Sequence, residues 1–316
     1  MADTGRAAVD IALCGLSPEL SEGWQQSLRE YGYLSFDTIN NGSKFQQRID
    51  ERRYDLLIVD NNMTDDLLQT LRSVRFGVMG MNPFVVMIMT ASDGKKSTIM
   101  PGLKAGIDDI LLTPASTSDL YQRIQRQVAQ RKPFLATSGY VGPDRRNDQQ
   151  RSSEIETFIP PNTLQMKEDE EEFDLKQLQQ SIYEAKKQLL TERTRRLVFD
   201  IAMTVKLCLP CFDDLARRQE LASYLAKVET LWSDAIWCIT SSRTAENVTE
   251  LFSAFGTACV KTRQNPAQTT TEERALLMQM SLAMLGLIHE ESDSSKLEMQ
   301  IIEAVDRYIK REAVAK

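Results

Sequence analysis

Tyr54-Asp-Leu-Leu-Ile-Val-Asp60 decides the fold of the first half of the chain. Its apolar run is short and unbroken, the signature of a strand buried on both faces rather than of an amphipathic helix. A carboxylate, Asp60, stands at its C-terminal end. Phe84-Val-Val-Met-Ile-Met-Thr-Ala-Ser92 reads as a second such strand, ending in the hydroxyls Thr90 and Ser92. Ile110-Leu-Leu-Thr-Pro114 reads as a third.

In order and spacing these segments resemble the receiver domain of bacterial response regulators, over about residues 8–132. The resemblance implies a doubly wound, flavodoxin-like α/β fold. It implies Asp60 as phosphoacceptor and Thr90 as the hydroxyl that reads the phosphoryl group. It also implies a Mg²⁺ ion, held by hard oxygen ligands, that neutralises the transferring phosphoryl group. The family holds that ion with an acidic pair just after its first strand. Here Ile11-Ala-Leu-Cys-Gly-Leu-Ser-Pro18 puts Gly15 and Leu16 in those places, and neither side chain binds a metal. The family's lysine before the proline that follows the last strand is matched by uncharged Thr113, and its aromatic switch residue by Ile110. Asp60, Thr90 and a backbone carbonyl, expected from Asn62, make a poor Mg²⁺ site. These departures define a degenerate, or pseudo-, receiver with no metal and no cofactor. In that case Asp60 is an ordinary polar residue at a strand end. The alternative keeps Asp60 as the phosphoacceptor of a divergent two-component response regulator, with Mg²⁺ bound and the helical half as output.

A chain of 316 residues has room for two domains, each able to bury a core. With 26% charged and 42% hydrophobic residues it has a globular composition. The longest apolar candidate, Ala275 to Ile288, is interrupted by Gln279 and Ser281 and suits a buried helix better than a membrane span. The N-terminus lacks the apolar core of a signal peptide, so a cytoplasmic location is expected. Residues 1–135 and residues 173–316 each carry a net charge of −1, and the remaining −5 lies in residues 136–172. Neither half has the basic footprint of a duplex-binding protein, so nucleic acid is not an expected partner.

Residues 133–172 read as a flexible linker, rich in Gly, Pro, Ser, Asn and Gln and poor in apolar side chains. Within it, Tyr140-Val-Gly-Pro-Asp-Arg-Arg146 looks like a short docking segment, similar to a stretch that follows receiver-like domains in proteins of alphaproteobacterial type. Tyr140 would pack on a neighbouring surface, and Arg145 or Arg146 would pair with a carboxylate or phosphate. A solvated stretch with one chance aromatic explains the same residues. The acidic run Glu168 to Glu172 suits the solvated start of a helix.

From residue 173 to 316 the apolar period changes to 3.6, and an all-α bundle of about five helices is expected. Leu175, Leu178, Ile182, Ala185 and Leu189 space like a short coiled-coil seam. That seam serves either a homodimer or the bundle's own core. Thr270-Thr-Glu-Glu273 has the form of a capping box, and the helix after it is apolar almost all round, which predicts a central place in the bundle. Cys208-Leu-Pro-Cys211 falls at a helix C-terminus, where the dipole opposes thiolate formation. Cys14, Cys238, Cys259 and the single histidine, His289, are scattered. Buried free thiols are expected, and no zinc site. His289 lacks the surroundings of a phosphotransfer histidine. No nucleotide loop, triad or paired-carboxylate site is visible. The sequence therefore points to a non-enzymatic signalling or scaffold protein with protein partners.

Overall fold

The structure is a computed structural model and describes residues 5–63, 66–146, 156–169, 174–242, 246–290 and 293–315. It divides into two compact units, Met1–Lys186 and Lys187–Lys316.

In the first unit β1 (Asp10–Cys14), β2 (Ser35–Ile39), β3 (Leu56–Asp60), β4 (Val86–Ala91) and β5 (Asp109–Leu112) form a parallel sheet in the order β2-β1-β3-β4-β5. The unbroken apolar run of β3 now has its reason. Leu56 and Ile58 enter the core on one face, with Trp24, Leu28, Leu120 and Ile124. Leu57 and Val59 enter the other, with Phe45, Leu71 and Met89. A strand buried on both sides has no solvent face to alternate with. Trp24 and Leu28 come from α1 (Pro18–Glu30). Phe45 comes from α2 (Gly42–Glu51) and Leu71 from α3 (Leu67–Arg75). α4 (Lys96–Lys104) precedes β5, and Leu120 and Ile124 lie on α5 (Thr117–Gln130). Ser17 caps α1, with Pro18 at its first position, and Ser116 with Asp119 forms a capping box on α5. The β3–β4 register pairs Asp60 with Thr90 and so sets both at the C-terminal edge of the sheet.

Residues 133–146 and 156–169 differ from the extended linker expected for 133–172, whose residues 147–155 and 170–172 lie outside the described residues. β6 (Phe134–Ala136), β7 (Val141–Pro143) and β8 (Thr157–Phe158) make a small antiparallel sheet in the order β7-β6-β8, followed by α6 (Thr163–Asp169). They pack where the parallel strands begin, at the edge opposite Asp60. The stretch is poor in apolar residues, but those it has are well placed and are joined by buried ion pairs. Phe84, Phe134 and Phe158 pack edge to face, with ring centroids 6.0 to 6.2 Å apart. The Arg75 and Arg131 guanidinium groups lie 5.1 and 4.9 Å from the centre of the Phe134 ring. Both arginines hold buried Asp108, at 2.6 and 3.0 Å. On α6, the Lys167 ammonium donates to Asp55 at 2.6 Å, to the Ala8 carbonyl at 2.8 Å and to Asp10 at 3.2 Å. The Glu168 side chain is buried too, accepting from Arg6 and Gln125 at 3.1 Å each and from the Tyr33 hydroxyl. It closes α6 rather than opening a solvated helix. Residues 170–172 of the acidic run lie outside the described residues.

Five long helices follow, as expected: α7 (Leu175–Cys208), α8 (Arg218–Ser241), α9 (Glu246–Gln264), α10 (Thr271–His289) and α11 (Ser294–Ala315). The expected start of α9, residues 242–247, falls partly outside the described residues. In the second unit Leu197, Ile201, Ala235, Phe252, Phe255, Leu285 and Ile301 form a continuous core. The capping box at Thr270 and Glu273 is present. α10, expected at the centre, packs on α9 and α11 through Leu277, Met278, Met284 and Leu285 but leaves Leu276 and Leu287 about half exposed. An apolar circumference permits burial all round but does not require it. Of the seam expected on α7, Leu178, Ile182 and Leu189 are buried within this one chain, Ala185 is half-buried and Leu175 is exposed. α8 and α9 approach closely at Gly256. The Trp232 indole N–H donates to the Phe252 carbonyl at 2.7 Å, and a Cβ on residue 256 would fall 2.1 Å from the indole.

Two outcomes follow for stability. Gly256→Ala should destabilise the chain by about 1–3 kcal/mol in urea unfolding, because overpacking against Trp232 outweighs the ~1 kcal/mol that alanine normally adds to a helix interior. Lys167→Met should cost about 3–5 kcal/mol at neutral pH, since it strands a buried carboxylate. Burial already raises the Asp55 carboxyl above its ordinary value, with Lys167 pulling the other way. A raised folded value means that stability is fullest below the ordinary carboxylate value and is lost as pH rises through the folded one. The deficit of the variant should therefore shrink as pH falls. A deficit that does not change with pH would show that Asp55 is not its source.

Candidate functional site

Asp60, the last residue of β3, turns one carboxylate oxygen to each of two donors. Oδ2 accepts from the Thr90 hydroxyl at 3.0 Å, and Oδ1 accepts from the Asn62 backbone N–H at 2.7 Å. The turn after β3 is tight: Asn61 donates to the Thr90 carbonyl at 3.1 Å and Met63 to the Asp60 carbonyl at 3.1 Å. Asn62, whose carbonyl was the expected metal ligand, gives its backbone N–H to Asp60.

The turn carries Met63 against the end of β1. Gly15 has φ +71°, a left-handed conformation that glycine adopts without strain. A Cβ built on Gly15 would fall 2.6 Å from Met63 Cβ and 2.7 Å from its Cγ. The Met63 side chain occupies the space into which an acidic residue at position 15 would project. Leu16 is buried in the core with Val9, Ile11 and Trp24. Thr113 donates through both its backbone N–H, at 2.9 Å, and its hydroxyl, at 3.3 Å, to the Ala91 carbonyl. Ile110 packs partly buried on the opposite core. The structure therefore joins Asp60 to Thr90 and gives Asp60 no cation from position 113.

Mg²⁺ demands near-octahedral oxygen ligation and is poorly served by a thioether. One carboxylate already holding two donors, with Met63 beside it, does not fit that ion. Among the described residues no group of three or more His, Cys, Asp or Glu could hold a metal. Met63 escaped sequence reasoning. Its role depends on the backbone angle at Gly15, and a glycine gives no sign of its φ in one sequence.

The other candidates lie elsewhere. The Tyr140 hydroxyl donates to the Pro143 carbonyl at 2.9 Å, and burial pushes its pKa up against the pull of Arg145 and Arg75. Arg145 donates to the backbone carbonyls of Ile107 and Asp108, and the Val141 carbonyl abuts Gly106 so closely that a Cβ there would lie 2.2 Å away. Arg146 pairs with Asp144 at 2.7 Å. The segment thus docks on its own unit, near the ends of α3 and α4. There Arg145 binds carbonyls rather than a carboxylate or phosphate.

All five cysteines are buried. The Cys208 and Cys211 thiols point at the Val205 and Leu207 carbonyls, and burial pushes Cys208 up to about 12. Both are buried free thiols. His289 ends α10 with Nε2 3.3 Å from the Arg195 carbonyl, and burial lowers its pKa.

Residues 15–125 match the family model of the response regulator receiver domain. That stretch of the chain is a receiver domain of two-component signalling, and the rest of the chain has no family match. Solved structures similar to it include an orphan response regulator of H. pylori, at 18% identity and a TM-score of 0.34, covering 39% of this chain and 98% of that one. Vibrio cholerae chemotaxis protein CheY4 is similar at 19% identity and a TM-score of 0.34, over 37% of this chain and 97% of that one. The receiver domain of a Pseudomonas aeruginosa sensor histidine kinase, solved with a magnesium ion in its active-site cleft, is 22% identical with a TM-score of 0.32, over 38% and 97%. No curated protein matches the chain.

Gly15→Asp should not create a metal site. It forces a side chain into a left-handed conformation and against Met63, at a cost of about 1–3 kcal/mol. Thermal unfolding should show a lower midpoint. Calorimetric titration of this variant and of the parent with Mg²⁺ should show no saturable site tighter than millimolar, about −4 kcal/mol.

Proposed function

We propose that this chain is a non-enzymatic signalling scaffold of the cytoplasm. Its receiver domain recognises a protein partner without being phosphorylated, and its helical unit is a second protein-interaction module. The observation that carries this reading is Met63, whose side chain fills the space into which an acidic residue at position 15 would project. The engagement of both Asp60 oxygens within the chain supports it. So does the absence of a charge at Thr113. The surface available for recognition is the Asp60 edge itself, with Asn61, Asn62 and the start of α3. The opposite edge is covered by β6 to α6.

No helix among the described residues is long and apolar enough to cross a membrane. Both halves carry nearly balanced charge, which fits protein rather than nucleic-acid partners.

Incubation of the full chain with acetyl phosphate and Mg²⁺, followed by intact-mass measurement, tests the reading. The expected spectrum shows no added phosphoryl group. A phosphoryl increment that disappears in Asp60→Asn would instead establish a divergent phosphoacceptor, with Thr90 reading the phosphoryl group and the helical unit as output.

A further inference from the structure

α11 carries two apolar stripes. Leu297, Ile301 and Ala304 are buried, with Leu297 and Ile301 in the core of the second unit and Val305 packed against it. On the far side Met299, Ile302 and Ile309 are 61%, 41% and 53% exposed. With Asp306 and Ala313 they follow the alternating three- and four-residue spacing of a coiled-coil seam. Lys296, Glu303 and Lys310, all exposed, flank that seam at seven-residue intervals. An apolar stripe on the outer face of a helix, edged by heptad-spaced charges, is the form of an interface rather than of a solvated surface.

We infer that α11 pairs antiparallel with α11 of a second copy of this chain. The charge pattern selects both the partner and the direction. In an antiparallel pair, flanking residues of the same heptad position face each other. A two-fold axis near Asp306 and Arg307 sets Glu303 of each copy opposite Lys310 of the other, giving two opposite-charge pairs. In an antiparallel seam the two alternating core positions meet each other, so the same register packs Ile302 on Ala313 and Ile309 on Asp306. The Asp306 carboxylate, set against Ile309 of the other copy, weakens the pair and makes the association reversible. The inference gives the interaction role of the helical unit a surface and a partner, and rests on that role. Its failure would leave the phosphodonor result untouched.

Sedimentation of the full chain from micromolar to near-millimolar concentration tests it. The average mass should rise from monomer towards dimer. Ile302→Glu and, separately, Met299→Gln should hold or shift it towards monomer without changing the helical circular dichroism, since both positions face outward. Glu303→Lys or Lys310→Glu alone should weaken the dimer, and the two together should restore it. Asp306→Leu should lower the dissociation constant by about tenfold or more, because it removes a carboxylate packed against Ile309 of the other copy. A chain monomeric throughout would overturn the inference. So would a dimer indifferent to Ile302→Glu, or a double reversal that fails to restore association.

Discussion

Asp108, gripped by Arg75 and Arg131 above the ring of Phe134, is the contact on which the first unit turns. It joins the end of α3, the start of β5, the end of α5 and the first residue of β6 in one buried cluster. Breaking one partner of such a group costs far more than the group contributes over an apolar equivalent. The residues after α5 are therefore held to the receiver. Arg75 spends its other donors on the carbonyls of Pro83, Val85 and Gly106, which are the backbone groups left over where strands begin. Lys167 does the same at the other end of that edge, with Asp55, Asp10 and the Ala8 carbonyl.

The consequence for function is an asymmetry. One edge of the parallel sheet is sealed by the chain's own β6–α6 segment, and the other, with Asp60, remains the candidate for recognition. At that edge the strands keep the arrangement of a receiver, while Gly15, Leu16 and Thr113 stand where the acidic pair and the lysine were expected. The register still brings Asp60 to Thr90, but the backbone at Gly15 turns left-handed and Met63 fills the space. A fold can keep its core while its site changes. Burial constrains Leu56 to Val59, whereas position 15, just past the end of β1, is set by its own backbone angle and by Met63 rather than by the sheet core.

Much of the fold was legible in the sequence. β3 and β4 are unbroken apolar runs, and the helices of the second unit show their period and, at Thr270, their cap. Asp60 and Thr90 were legible because a strand end is easy to number. Residues 133–169 were not. Composition counts apolar residues, and the described parts of this stretch are held instead by a few aromatics, by the Lys167–Asp55 ion pair and by the Arg75 and Arg131 guanidinium groups over Phe134. Tyr140 was read either as a docking residue or as a chance aromatic, and it lies against its own unit, with its hydroxyl on the Pro143 carbonyl. Leu178 and Ile182 space like a dimer seam, yet periodicity cannot say whether a seam faces its own chain or another. Here both are buried within one chain. Met63 left no signal at all.

The central claim is that the Asp60 edge works without metal or phosphoryl group. Amide NMR of the isotopically labelled chain, titrated with Mg²⁺ and the phosphoryl mimic beryllofluoride, tests it most directly. The account predicts that the signals of Asn61, Asn62, Thr90 and Ala91 stay where they are. A new, saturable set of signals for these residues would contradict it.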